Sequence, residues 1–182
     1  HTSQAMTQIT KQIDSTHTTY IMQENLDSKD NYGMNINLPI HVTEWWTSSN
    51  NFSVFNNKYQ GESSVGEINK ALTSYFLNSD NSFQAKKGWS FELSGYYQSQ
   101  MVWGTWLVDP QWSINAGVSK MLLNESLQIR LNINDIFHTQ KEKSTIQYQN
   151  IDASFSQEYD SQFMRLHVSY NFGKKNIKTK NH

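Results

Sequence analysis

The chain has 182 residues, a net charge of −1, no cysteine and 36% hydrophobic residues, and Asn, Gln, Ser and Thr alone supply 69 positions. Near-neutrality provides no long-range field for nucleic acid, and the missing thiols remove disulfides, thiolate metal sites and thiol catalysis. Aromatic residues at 13% argue against disorder, and no apolar run reaches the roughly 18 residues of a transmembrane helix.

Residues 1–12 are polar and unpatterned and read as a lead-in or loop. His1-Thr2-Ser3-Gln4 carries neither the basic nor the apolar segment of a secretory leader, so the chain is expected to be a fragment or processed product of something longer. A first strand is placed over 13–26 and a turn over 27–31, where charged and amide residues cluster. The second strand, 32–38, sets Met34, Ile36 and Leu38 against Asn35 and Asn37, and Pro39 stops it. The third, 44–59, opens on Trp45 and Trp46 and breaks at 60–64. The fourth, 65–85, competes with a short helix over 68–72, and 86–88 form a tight turn with Gly88 free to take positive φ.

The fifth strand is the clearest. Trp89, Phe91, Leu93, Gly95, Tyr97, Ser99, Met101 and Trp103 share one face, with Ser90, Glu92, Ser94, Tyr96, Gln98 and Gln100 on the other. A helix would put Glu92 and Tyr96 beside Trp89. After a loop at 104–111, the sixth strand sets Trp112, Ile114, Ala116 and Val118 against Ser113, Asn115, Gly117 and Ser119. A turn at 124–125 leads to the seventh, where Leu127, Ile129, Leu131 and Ile133 alternate with Gln128, Arg130, Asn132 and Asn134. A polar connection, 138–162, has room for an extra hairpin at 146–155. The last strand, 163–173, sets Met164, Leu166, Val168, Tyr170 and Phe172 against Arg165, His167, Ser169 and Asn171.

Eight strands with one greasy and one wet face are what an antiparallel transmembrane β-barrel requires, with lipid outside and water in the lumen. Short connections (39–43, 86–88, 124–125) alternate with longer ones (60–64, 104–111, 138–162). That matches short periplasmic turns and long external loops, with both chain ends periplasmic. Trp45, Trp46, Trp89, Trp103, Trp112 and Tyr170 fall near strand ends, where aromatic girdles meet outer-membrane lipid. Glu92, Arg130, Arg165 and His167 fall on wet faces and are expected to line the lumen, since Arg on the lipid face at mid-bilayer costs about 2–4 kcal/mol.

Little suggests catalysis or a cofactor. The six His are scattered without metal-ligand spacing, Asp152, Glu158 and Asp160 sit in a polar loop, and Gly-x-Ser-x-Gly and Gly-x-Gly-x-x-Gly are missing. Trp103 and Trp106 could stack on a sugar or an aromatic ligand, with lipid anchoring the role expected of Trp103.

Leu127-Gln128-Ile129-Arg130-Leu131-Asn132-Ile133-Asn134-Asp135-Ile136-Phe137, a charged loop, and a closing strand Arg165-Leu166-His167-Val168-Ser169-Tyr170-Asn171-Phe172-Gly173 together resemble the C-terminal barrel end of TonB-dependent outer-membrane receptors. The likeness is to the outer-membrane β-barrel family of Bacteroidota, whose penultimate strand reads L-x-L-x-x-x-D-I-F-N. It covers about 30–173 and includes 81–94 as a turn and following strand. The chain departs from the pattern at His138, where Asn is usual, and in the ten residues that follow Phe172. The resemblance implies that 13–173 form the C-terminal sector of a plugged barrel of about 22 strands, with 174–182 a tail and Phe172 the aromatic read by the barrel-assembly machinery. It implies a plug domain and N-terminal strands of the same parent chain, TonB as energy coupler, a surface lipoprotein as a further partner, and import of a scarce nutrient. One rival is a complete eight-stranded barrel, structural or adhesive, in which 13–26 pair with 163–173. Others are an outer-membrane barrel enzyme and a soluble barrel with its apolar faces turned inward.

Overall fold

The computed structural model describes residues 1–13, 18–64, 66–148 and 151–172. Its strands are β1 (Thr2–Ile13), β2 (Thr18–Thr43), β3 (Trp46–Ser63), β4 (Gly66–Ala85), β5 (Trp89–Gln98), β6 (Met101–Trp103), β7 (Trp106–Val108), β8 (Gln111–Leu122), β9 (Leu127–Asn134), β10 (Lys141–Tyr148), β11 (Ile151–Glu158) and β12 (Phe163–Tyr170). An eight-stranded antiparallel sheet runs β1-β2-β3-β4-β5-β8-β9-β12, and a second, four-stranded sheet runs β11-β10-β7-β6.

Register carries the two-faced pattern across strands. Phe83 lies opposite Phe91, Phe91 opposite Val118, Val118 opposite Leu131 and Leu131 opposite Leu166. Because side chains alternate with period two, a slip of one residue would send each strand's apolar set to the other face. The apolar face is the open one: Phe91 is 45% and Leu166 66% exposed, whereas Ser74, Ser113 and Ser119 on the polar face are buried. This is the inverse of a water-soluble sheet and removes the soluble-barrel alternative. The apolar face has a polar inlay on β3 and β4, in which Trp46 Nε1 donates to Asn81 Oδ1 (3.1 Å), Asn81 Nδ2 to Ser79 Oγ (3.1 Å), Ser79 Oγ to Asn50 Oδ1 (2.7 Å) and Asn50 Nδ2 to Ser48 Oγ (2.9 Å). Each group finds its partner within the chain, as polar atoms facing an apolar solvent must.

Strand lengths divide the molecule. β5 has 10 residues, close to the roughly 9–11 that cross a hydrocarbon core, whereas β2 has 26, β3 18 and β4 20. At about 3.3 Å per residue, β2 extends roughly 85 Å and projects far past an apolar layer of about 30 Å. Residues 27–31 are therefore strand, not turn; with 28–31 paired to 57–60 of β3, their charged and amide side chains lie in the projecting half of β2. Pro39 does not end β2 either. β1 pairs β2 only from Thr18 to Lys29, so the half holding Pro39 is a sheet edge, where a missing N–H is tolerated.

Residues 1–12, expected as a lead-in, lie almost wholly in β1. Its odd positions Ala5, Thr7 and Ile9 are buried, but two are small or polar, so hydropathy conceals the pattern. β3 passes through 60–63, and Gly61 marks a close approach, since a Cβ there would meet Asp27 N at 2.4 Å. No helix forms over 68–72, which belong to β4; residues four apart share a face in strand and helix alike. β5 leaves the sheet after Gln98. Ser99 N donates to Tyr75 O (2.9 Å), Tyr75 N donates to Ser99 Oγ (2.9 Å) and Ser74 Oγ donates to Gln100 O (2.8 Å), pinning the chain as it turns into β6. Thus 104–111 hold a hairpin's turn and second strand, and the hairpin within 138–162 spans 141–158.

One end of the sheet has short turns at 44–45, Lys86–Gly88 and 123–126, where Leu123, Asn124 and Glu125 all take positive φ. At the other end the second sheet folds over β1–β4 around a core of Ile9, Leu26, Tyr59, Ile68 and Val102. Lys70 Nζ ties β4 to both hairpins through Thr105 O (3.1 Å) and Gln147 O (3.3 Å). Among the described residues β12 pairs only with β9 and β1 only with β2, so the large sheet is open. The tail expected over 174–182 lies outside the described residues.

Candidate functional site

The polar face of the large sheet has two chemistries. On β2 and β3 it is an amide ladder: Asn51 Nδ2 donates to Asn35 Oδ1 (2.9 Å) and Asn37 Oδ1 (2.6 Å), Asn35 Nδ2 to Ser53 Oγ (2.7 Å), and Asn31 to Asn57. On β5, β8, β9 and β12 it carries charge. Glu92, Gly117, Asn132 and Arg165 form one cross-strand row, and Ser119, Arg130 and His167 the next.

Arg130 Nη2 lies 3.5 Å from Glu92 Oε1, reaching diagonally across β8. Gly117 leaves the gap it crosses: a Cβ there would sit 2.6 Å from Asn132 Oδ1 and 3.5 Å from Glu92 Oε2. The pair is well exposed and contributes about 0.2–1 kcal/mol. Arg165 lies instead over the Phe163 ring, 5.2 Å from its centroid. The structure thus brings Glu92 and Arg130 together and sets Arg165 and His167 beside them in register. The surplus of positive groups suits a carboxylate or a run of acceptors seated against this half of the wall.

At the upper end of this wall stands a residue the sequence analysis left unassigned. Asp135, one residue beyond β9 at φ +45, is 1% exposed. Its Oδ1 accepts from Thr139 N (3.0 Å), Thr139 Oγ1 (3.1 Å) and Ser113 Oγ (3.3 Å), and its Oδ2 from Gln140 N (3.0 Å) and Ser161 Oγ (2.6 Å). Burial alone would raise its pKa, but the donors outweigh it and hold the carboxyl at about 2. Asp135 N donates to Asn115 Oδ1 (2.9 Å), and Gln162 Nε2 donates to Ile136 O (2.9 Å). One carboxylate therefore clamps both ends of the 135–162 excursion. Its sequence signal was an Asp where strict alternation stops, which is turn chemistry.

The aromatics sort by height. At the short-turn end Trp46 stacks on Phe83 (5.7 Å), Trp45 lies 6.2 Å from Phe83, Trp89 lies 6.3 Å from Phe91, and Lys120 Nζ sits 4.7 Å over Trp89. Tyr170 packs edge-on against Phe172 (4.6 Å), which is 92% exposed. Toward the other end Tyr75 stacks on Tyr97 (5.9 Å) and Trp112 meets Phe137 (5.9 Å). Trp103 is a correction to the expected girdle. It lies on β6 in the small sheet, because β5 ends at Gln98, before the chain reaches this position. Glu158, of the loop acids, pairs with Lys141 at 3.2 Å, and among the described residues no three His, Asp or Glu side chains gather.

A model of the outer membrane protein beta-barrel family matches residues 1–170. No curated protein and no solved structure matches the chain.

Proposed function

The chain belongs to the outer membrane protein beta-barrel family, and on that premise we propose that it is the C-terminal barrel sector of a TonB-dependent receptor importing a scarce nutrient. Membership places the protein in the bacterial outer membrane. The observation that carries the receptor reading is the open sheet, exposed on its apolar face and, among the described residues, unpaired along the outer edge of β12 and the lower half of β2. Hydrocarbon does not tolerate open strand edges, so further strands complete the wall. A barrel of about 22 strands has a lumen wide enough to need a plug.

In this reading the plug rests on the amide ladder and on Arg130, Arg165 and His167, and TonB acts through the plug from the periplasm. A surface lipoprotein meets the projecting end of β2–β4, and the barrel-assembly machinery reads Phe172. The protein is a transporter rather than an enzyme and needs no cofactor. A complete eight-stranded barrel would need β1 against β12, whereas β1 lies along the far half of β2.

The test is uptake by cells producing the full-length gene product, with its deletion mutant alongside, across metal chelates, vitamins and oligosaccharides. The expected result is loss of growth on at least one limiting source, with uptake abolished by a protonophore and restored by complementation. Uptake that continues without the proton gradient overturns the receptor reading. So does a disulfide between Thr2→Cys at the start of β1 and Phe163→Cys at the start of β12, which would report a closed small barrel.

A further inference from the structure

The apolar face of the large sheet is not uniform. Toward the long-loop end one cross-strand row runs Phe52, Leu77, Tyr97 and Trp112, and the row below it runs Asn50, Ser79, Gly95 and Ile114. Large side chains thus stand above small ones and frame a groove of about 590 Å³, with Asn50, Ser79 and Gly95 as its floor. Leu77 and Trp112 are exposed and form an open rim.

The floor belongs to the polar inlay, whose hydrogen bonding is incomplete at Asn50. An amide nitrogen carries two N–H groups. Asn50 Nδ2 donates to Ser48 Oγ (2.9 Å), and Asn50 Oδ1 accepts from Ser79 Oγ (2.7 Å). The second N–H meets no acceptor among the described residues. Asn50 lines the groove and is only partly buried, so its amide borders whatever fills that space. In water such an N–H would be hydrated; in hydrocarbon, leaving it unmet costs free energy.

The medium and the depth select the occupant. The groove is continuous with the lipid belt of Phe91, Leu93 and Leu166, in a protein of the outer membrane, so it is filled from the bilayer. Its occupant is apolar along most of its length and carries one oxygen acceptor. Asn50 lies one row below Tyr97 and Trp112, about 6.6 Å along the strands. With strands tilted roughly 35–45°, that is roughly 5 Å deeper than the aromatic row, at the end that bears the long external loops. A headgroup ester carbonyl stays level with the aromatics, whereas a hydroxyl borne on the chain a few carbons farther in reaches the amide. We propose that this groove binds the hydroxylated acyl chain of an outer-leaflet lipid, with the hydroxyl oxygen accepting from Asn50 Nδ2 and the methylenes lying against Phe52, Leu77 and Ile114. The site stands whether or not the barrel is TonB-driven.

Binding is measured on the intact protein, delipidated in detergent micelles, with no TonB and no energy source, so its failure is separate from a failure of uptake. Two probes that differ only in the hydroxyl, N-(β-hydroxymyristoyl)glucosamine and N-myristoylglucosamine, are titrated, and bound molecules are counted by native mass spectrometry. The expected result is saturable binding of the hydroxylated probe, about fivefold tighter than its counterpart, the ratio one hydrogen bond supplies. Asn50→Leu, which keeps the size and removes the N–H, brings the two affinities together with heat-modifiable gel mobility unchanged. Leu77→Ala at the rim weakens both probes through lost apolar contact, whereas Leu166→Ala, on the same face at β12, weakens neither. No saturable binding, equal affinity of the unaltered protein for both probes, a preference that survives Asn50→Leu, or equal weakening by Leu77→Ala and Leu166→Ala overturns the proposal.

Discussion

The short-turn half of the sheet and the projecting half are made of the same antiparallel strands but solve opposite problems. In the first half the outer face meets lipid, so Phe91, Leu93 and Leu166 stand exposed and polar groups are drawn to the enclosed face. In the second half water surrounds everything, and stability needs an interior of the ordinary kind, supplied by Ile9, Leu26, Tyr59, Ile68 and Val102 under the folded-over hairpins. A side chain's contribution therefore depends on which half holds it. An outward leucine in the belt loses little when shortened and much when charged, whereas a core isoleucine loses most when a cavity opens.

The contrast is broken most severely at Ile68, which is fully buried. Ile68→Ala should cost about 2–5 kcal/mol and free the two hairpins for protease cleavage, while the belt keeps its heat-modifiable mobility. Leu131→Arg should cost about 2–4 kcal/mol at the lipid face, read by urea titration of the barrel in micelles or vesicles. Ser156→Arg, exposed in the projecting half, should stay within about 0.5 kcal/mol.

Asp135 joins the two halves, and its pH behaviour sharpens the comparison. Its folded pKa, about 2, lies below the ordinary 3.8. The stabilisation is therefore complete above pH 3.8 and is lost as pH falls toward 2, amounting to about 2 kcal/mol. Proteolysis of 135–162 should rise across that window, and Asp135→Asn should show raised cleavage already at neutral pH; cleavage unchanged in both would remove the clamp. Gly117→Val should overpack the wall by about 1–3 kcal/mol and part Glu92 from Arg130. Arg130→Ala should change stability by less than about 1 kcal/mol, read by the same urea titration; a larger loss would show that the Glu92 pair is shielded from water.

Alternation made β5, β8, β9 and β12 legible because lipid on one side and water on the other act on every second residue. It failed for β1, where Ala5 and Thr7 are buried without being greasy, and for β2 at Pro39, which stays in the ladder opposite Ser49 of β3. The charged wall was legible as a face, but the meeting of Glu92 with Arg130 was not, because it depends on an absent side chain on a third strand. Asp135 was visible only as part of a motif. Its donors Ser113, Thr139 and Ser161 come from three segments, and nothing in their spacing announces that they converge.

The sequence by itself determined that this protein is an antiparallel sheet with its apolar face outward, because side-chain period and solvent asymmetry are local properties of each strand. Only the tertiary structure decided where the strands end, which hairpins fold over the projecting sheet, and that Trp103 leaves the lipid belt for the small sheet. Those outcomes depend on pairings between residues tens of positions apart, such as Ser144 with Val108, and no local pattern encodes them.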